Sequence, residues 1–434
     1  MSLVWQTTKL HIDRLRGNVR VRQAAVLYAA SFAGIPLSLV TSIVFTRFLG
    51  PSGYGDFAFL DSIFDFAKII FPLGLFHATN RAMVLNRDPL KSKELQGAGI
   101  ILLFALFIIM AIVMLVYGLT DSNLASKGLD RFFIFLIPFG WIFLFEPYFN
   151  NVLHAENRIY ELSAIRFLPK VITFMAALLI FFTMSGFSGN RLAVIWPVYL
   201  IAFLGVYIIV LTKTGVSVRN VRQRIGTILG YYRTYGVHLY SGTLFFAGSL
   251  ALSGILISYF SDDNTGVGFF ALSLAISRPL ALIPGVIATT WFRDFASLKN
   301  IPARMIFGAA AMTVLALILL FLLAGPFVSF FYGEDFLPLI PLTYIAGAGM
   351  ALHGMAGFFS RFLEAGGQGK AVRNTNMATG LANLGFNIWL IPQYGESGAA
   401  YSLIISGLVY MAGIVFYYRR LAGNKKIHTF GRDK

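Results

Sequence analysis

Residues 96–118 read QGAGIILLFALFIIMAIVMLVYG, an uncharged run with Lys91 and Lys93 before it and Asp121 after it. As a helix it would rise about 1.5 Å per residue, just enough to cross a hydrocarbon core about 30 Å thick. A run this long and this apolar reads as a transmembrane helix, not as a buried core helix. Runs of the same kind extend on both sides, near residues 24–48, 54–78, 132–153, 162–184 and 191–212. Six more follow near 235–259, 265–291, 304–332, 336–362, 373–393 and 397–418. Pro72, Pro284 and Pro341 interrupt spans two, eight and ten, where a membrane bundle turns a proline into a kink and not an end. The whole chain of 434 residues is 57% hydrophobic and 12% charged, against about 25% charged for a soluble domain. The fold expected is therefore all-α and integral to the membrane, with about twelve transmembrane helices.

The charge pattern orients these spans. The chain carries a formal net charge of +16, which by itself would suit nucleic acid. Its placement argues against that partner, because 29 of the 35 Lys and Arg residues fall in or beside loops and tails on one and the same side of the spans. The opposite side has Arg47, Lys127, Arg131 and Arg191, while Lys68 and Arg278 lie inside spans. Basic loops stay cytoplasmic, so both termini are expected in the cytoplasm, and the number of spans is even. The first twenty-two residues are polar and basic, and the apolar run after them is too long for a cleaved signal peptide. There is no cysteine, hence no disulfide, thiolate metal site or cysteine nucleophile. The six histidines, His11, His77, His154, His238, His353 and His428, show no metal-ligand spacing, and no Walker A sequence is present.

A faint internal repeat divides the chain. Gly53-Tyr54-Gly55-Asp56-Phe57-Ala58 matches Gly266-Val267-Gly268-Phe269-Phe270-Ala271 at four of six positions, and Leu153-His154-Ala155 echoes Leu363-Glu364-Ala365. Six spans per half give both halves the same orientation, an arrangement that places a substrate cavity between repeats. The organisation expected is a basic segment over 1–23 and a six-helix bundle over 24–212. A basic linker over 213–234, a second six-helix bundle over 235–418 and a basic tail over 419–434 follow.

Two stretches carry a family resemblance. Phe48-Leu49-Gly50-Pro51-Ser52-Gly53-Tyr54-Gly55 follows the first span, and Leu390-Ile391-Pro392-Gln393-Tyr394-Gly395-Glu396-Ser397-Gly398-Ala399-Ala400 joins the last two. Both resemble signatures of the Wzx-type O-antigen and polysaccharide flippases, within the multidrug/oligosaccharidyl-lipid/polysaccharide exporter superfamily. The resemblance implies two parallel six-helix bundles around a V-shaped, MATE-like central cavity. It implies that an undecaprenyl-pyrophosphate oligosaccharide is flipped to the outer leaflet of the inner (cytoplasmic) membrane for O-antigen, lipopolysaccharide, capsule or exopolysaccharide synthesis. It also implies membrane lipids as partners, with a polysaccharide polymerase and chain-length machinery downstream. The motif glycines Gly50, Gly53 and Gly395 suit tight reversals of the chain at the membrane face.

Charges within spans are costly and normally face a cavity or a partner. Arg278 lies in mid-span, and a guanidinium binds phosphate oxygens bidentately. It reads either as a ligand of the pyrophosphate or as one half of an ion pair, with Asp65 placed opposite by the repeat. Asp61, Asp65 and Lys68 share one helical face at i, i+4, i+7. They form a polar stripe lining the cavity, a silent local pair, or an acid that takes up H⁺ or Na⁺ to drive exchange. Glu146 precedes Pro147 in span four and is a kink residue or a cavity-lining one. Arg166, Lys170 and Arg81 lie near the cytoplasmic mouth, where they snorkel to lipid phosphates or recruit the head group. The basic linker with Tyr231 and Tyr232 reads as an amphipathic segment on anionic lipid. Arg47 and Asp56 read as an interfacial pair.

No cofactor is expected beyond a coupling ion, and no enzymatic activity. Rival functions are a drug/cation antiporter of the same fold, a lipid II flippase, and a membrane polysaccharide polymerase. The polymerase is disfavoured by outer loops that are all short and without histidine.

Overall fold

The computed structural model describes residues 19–424 apart from 87, 185, 186 and 188, so most of the basic N-terminal segment and of the basic tail lies outside the described residues. Among the described residues the chain is helical with no strand. The principal helices are α1 (Val19–Ile70), α2 (Leu75–Leu85), α3 (Pro89–Thr120), α4 (Asp130–Leu136), α5 (Trp141–Ala155) and α6 (Ile159–Thr183). There follow α7 (Leu192–Thr214), α8 (Val221–Tyr231), α9 (Val237–Tyr259), α10 (Thr265–Thr290), α11 (Ala303–Phe331), α12 (Leu339–Ala365) and α13 (Gly369–Asn424). Ten helical stretches among the described residues are long and apolar enough to cross a membrane. Two of them, in α1 and α13, run 46 and 53 residues and so hold two crossings each, which gives twelve.

The joints in these two long helices are the motif glycines. Gly50 has φ 74° and ψ 177°, and Gly395 has φ 56° and ψ −135°, conformations that a side chain opposes. Gly53 lies in regular helix. The three prolines behave differently from one another. Pro284 is accommodated within α10 beside Pro279, as a kink. Pro341 falls in the first turn of α12, where an N–H is dispensable. At Pro72 the helix stops instead of kinking, because Leu73 and Gly74 both take positive φ, 49° and 85°.

The chain divides into two compact units, residues 19–48 with 70–240 and residues 49–69 with 241–424. Span two, placed by the sequence in the N-terminal bundle, therefore groups with the C-terminal helices. The reason is steric. Within that unit the backbone of Gly55 lies directly on Asn264 and Thr265, and a Cβ on Gly268 would sit 3.0 Å from the Gly55 Cα. Asn264 Nδ2 donates to Asp56 Oδ1 at 2.8 Å and Ser258 Oγ donates to Asn264 Oδ1 at 2.6 Å, which fastens the joint with buried polar groups. Gly53-Tyr54-Gly55 and Gly266-Val267-Gly268, the two copies of the repeat, are thus packing partners.

The N-terminal unit is held by an aromatic core of Tyr148, Phe149, Trp196 and Tyr207, all essentially buried. Tyr148 places its hydroxyl on the Gln96 carbonyl at 2.6 Å. Asp88 caps α3 by accepting from Leu90 N at 3.0 Å, with Pro89 in the first turn. The linker helix α8 is not laid out on lipid alone. Arg224 Nε meets Glu94 Oε2 at 2.7 Å, Asn220 Nδ2 donates to Glu94 Oε1 at 3.0 Å, and Ser217 packs on Gly97. Arg219, Arg222 and Arg233 remain exposed and available to anionic head groups.

The core of the C-terminal unit joins α10 to α13 through Phe295, Phe358, Phe362, Tyr410 and Ile414. Outward positions in both units are large and apolar, such as Phe182 and Phe307 at 74% exposure each, which identifies them as lipid-facing.

Candidate functional site

Each unit carries its own polar face. In the C-terminal unit the second half of α1 presents Asp61, Asp65 and Lys68. Lys68 Nζ lies 2.7 Å from Asp65 Oδ1, with side chains 27% and 38% exposed, so Asp65 is already engaged by its neighbour. A pair this open is worth little by itself. Arg278, in the middle of α10, is exposed and makes no hydrogen bond or ion pair among the described residues. Of the two readings of Arg278, the ion pair with Asp65 is therefore not the arrangement found. Its charge acts instead on the buried phenol of Tyr54, which also feels Asp61. A guanidinium in a hydrophobic helix with no protein acceptor keeps all its donors for something else.

The polar face of the N-terminal unit is assembled from three helices. Arg166 on α6 donates through Nε at 2.9 Å and Nη2 at 2.7 Å to Asn150 Oδ1 on α5. Asn150 Nδ2 in turn donates to the Glu146 carbonyl at 2.8 Å, and the Glu146 charge acts on Arg166. Lys170, one turn after Arg166, reaches the Gly34 carbonyl at 3.5 Å. Gly34 has no side chain to obstruct it, and a Cβ there would stand 3.1 Å from Nζ. His77 on α2 hydrogen-bonds Asn151, and Asn80 Nδ2 donates to the Asn151 carbonyl at 2.6 Å. Arg81 is exposed, its guanidinium 5.5 Å from the centroid of the Tyr235 ring.

Arg166 and Glu146 are thus brought together, with Lys170 a turn away on α6. Arg81 stands on α2, and Asp61, Asp65, Lys68 and Arg278 belong to the other unit. Asn80, Asn150 and Asn151 were not singled out from the sequence. Their signal is there, three carboxamides in otherwise apolar spans, with Asn150 and Asn151 adjacent in span four. Among the described residues no cluster of three or more His, Asp or Glu could hold a metal ion. Each face, taken by itself, offers cationic and hydrogen-bonding groups, suited to an anionic or polar ligand.

No family model and no curated protein matches the sequence. Solved structures do match. The lipid II flippase MurJ, in an inward closed conformation, aligns over 91% of this chain and 87% of its own, at 15% identity and a TM-score of 0.69. A multidrug-resistance MATE family transporter of the MOP superfamily, in an inward-facing conformation, aligns over 93% of this chain and 99% of its own, at 17% identity and a TM-score of 0.70. A MOP-superfamily transporter from Pyrococcus furiosus, reported for the reverse polarity of its binding pocket, aligns at 14% identity over 95% of this chain and 98% of its own, with a TM-score of 0.56. At these identities the fold is what is shared, and this chain is a multi-pass membrane protein with the all-helical fold of MurJ and the MATE transporters.

Proposed function

We propose that the chain is a flippase of the cytoplasmic membrane that moves an oligosaccharide linked to undecaprenyl pyrophosphate from the inner to the outer leaflet by alternating access. The observation that carries this reading is Arg278, a mid-helix guanidinium without a protein acceptor among the described residues. A cation there is costly unless a ligand meets it, and pyrophosphate is the ligand whose oxygens match its fork. Arg166 and Lys170, with Asn150 and Glu146 beside them, add cationic and carboxamide groups on the other unit. Sugar hydroxyls are donors and acceptors at once and suit such groups. Product removal by a polymerase with its chain-length machinery would make transport directional without ATP.

The test is movement of a fluorescent undecaprenyl-pyrophosphate oligosaccharide between leaflets of proteoliposomes, wild type against Arg278→Ala. Loss of one charged hydrogen-bonding partner is worth about 1.5–3 kcal/mol, or roughly a 10- to 150-fold weaker interaction. Two further readings have a specific observation each. The match to MurJ favours lipid II, which shares the pyrophosphate lipid, and the match over nearly all of a MATE transporter favours ion-coupled export of cationic drugs. Offering all three substrates to the same vesicles separates them. Uptake of cationic drugs with no movement of any lipid-linked sugar would refute the proposal.

A further inference from the structure

The C-terminal unit contains a buried polar network that the reading above does not use. His353, on α12, is 8% exposed, and Asn383, Asn387, Ser253 and Ser406 are between 0% and 2% exposed. Asn387 Nδ2 donates to Ser253 Oγ at 2.8 Å and to Asn383 Oδ1 at 3.1 Å, and Asn383 Nδ2 donates to Ser406 Oγ at 3.3 Å. His353 Nε2 lies 3.2 Å from both the Leu403 carbonyl and Ser406 Oγ. The network thus ties α9, α12 and both halves of α13 through side chains with no formal charge.

Its partners fix the proton positions. The Leu403 carbonyl can only accept, and Ser406 Oγ gives its own hydrogen to that carbonyl at 3.1 Å. His353 Nε2 must therefore carry the hydrogen, which leaves Nδ1 as a bare lone pair. That atom and Asn387 Oδ1 are buried and have no hydrogen-bond partner. The network has acceptors to spare and lacks donors. Burying a bare acceptor costs about 1–3 kcal/mol, and a proton added at Nδ1 would turn it into a donor that is equally without a partner while the helices stay packed. Two aromatic rings flank the imidazole and keep water from it, Phe246 with centroids 5.7 Å apart and Tyr410 with centroids 5.9 Å apart.

We propose that His353 is the proton-binding site of this protein, and that its protonation favours a state in which the α12–α13 joint is opened to water. In the packed state an imidazolium would hold its Nδ1–H against no acceptor, so the proton binds the hydrated state more tightly and shifts the population toward it. A sodium ion fits less well, because it needs several oxygen ligands and the set offers no carboxylate, whereas a proton needs only the Nδ1 lone pair. The titratable group whose ring lies against the imidazole is Tyr410 of α13, and α10, whose Ala281 backbone packs on Gly354, carries Arg278 one turn before that contact. Tyr410 hydrogen-bonds Ser360, which meets Glu364 and, through it, Arg361 toward the end of α12. From α9 the ring meets Phe246, and Ser253, Asn387 and Asn383 join the network through Ser406; none of these titrates. Use of the site to drive transport rests on the flippase or antiporter reading above; binding of the proton does not.

The chain has no cysteine, so a single thiol is a clean reporter. Ala356→Cys places one on α12 three residues beyond His353, at a position that is 0% exposed and packed in the cluster with Tyr410 and Ile414 of α13. The protein is held in nanodiscs, and alkylation by a water-soluble maleimide is followed from pH 5 to 8, normalised to the same thiol in detergent-unfolded protein. The normalised rate is expected to rise toward acid with a slope approaching about tenfold per pH unit, the limit for one linked proton. The step should vanish in H353Q, whose amide can still donate to the Leu403 carbonyl. If H353Q does not fold, the variant that keeps only His353 and replaces the other five histidines by glutamine must retain the step. In that variant the nitrogen spectrum of the labelled imidazole must show protonation at Nδ1 over the same range. A flat profile, a step that survives in H353Q, or one that follows sodium concentration at fixed pH would overturn the proposal. None of these readouts depends on a transported substrate, so a failure of the flippase reading leaves them intact.

Discussion

Removing the guanidinium of Arg224 should detach the linker helix α8 from α3 at a calculable cost. Glu94 is 9% exposed and Arg224 14%, and the carboxylate has two partners, the Arg224 Nε at 2.7 Å and the Asn220 carboxamide at 3.0 Å. In Arg224→Ala the carboxylate keeps only the Asn220 bond. Breaking a fully buried ion pair costs about 3–5 kcal/mol. Because Asn220 remains and water can reach α8 from its exposed side, the expected loss falls below that range, at about 2–3 kcal/mol. At about 2 °C per kcal/mol for a chain of this size, the melting midpoint of the purified protein should fall by roughly 4–6 °C. Arg219→Ala and Arg222→Ala, which remove exposed charges from the same segment, should each move it by less than about 1 °C. A double-mutant cycle with Glu94→Gln should return a coupling energy of about 2 kcal/mol. Equal and small shifts in all three arginine variants would refute the argument and return α8 to the role of a lipid-surface segment.

Gly50→Ala and Gly395→Ala should each cost about 1–3 kcal/mol, since both force a Cβ into a conformation reserved for glycine; thermal unfolding with Gly385→Ala as the unstrained control checks this. Gly55→Val should abolish folded protein in the membrane, because its side chain would overlap the Asn264 backbone; size-exclusion chromatography after extraction is the readout. Arg278→Ala should leave the melting midpoint within about 1 °C of wild type, as no partner is abandoned, whereas Arg166→Ala strips Asn150 Oδ1 of two donors and should cost about 1 kcal/mol or more. Lys68→Ala should change stability by less than about 1 kcal/mol, and that small effect should disappear in high salt, measured by the same melting curves.

The crossings were legible because a bilayer imposes a single strong rule, an apolar run of helix length, and residues such as Phe182 and Phe307 obey it on their lipid faces. The joints at Gly50 and Gly395 were legible for a similar reason, since glycine and proline punctuate helices locally. The company kept by span two was not. It depends on Gly55 lying on Asn264, a contact between residues about two hundred positions apart that no periodicity encodes. The site divides along the same line. The Asp65–Lys68 pair is a matter of helical spacing and was readable. Arg166 with Asn150 spans the turn between α5 and α6, and the partner of a long cation cannot be chosen from a list of nearby polar residues. The stripe Thr375, Thr379, Asn383 and Asn387 recurs at every fourth residue of an apolar span, which was a legible sign of a buried polar face.

The seating of Gly55 against Gly268 bears on how a doubled chain can age. Where two main chains touch, any Cβ is refused, so substitution is vetoed at those points whatever its chemistry. A lipid-facing position such as Phe307 asks only for an apolar group and can change freely among many. Two copies of an ancestral half would then drift apart over most of their length and stay most recognisable at their mutual contact. The faintness of the repeat, and its survival as a handful of glycines beside aromatic and small neighbours, is what such selective wear would leave.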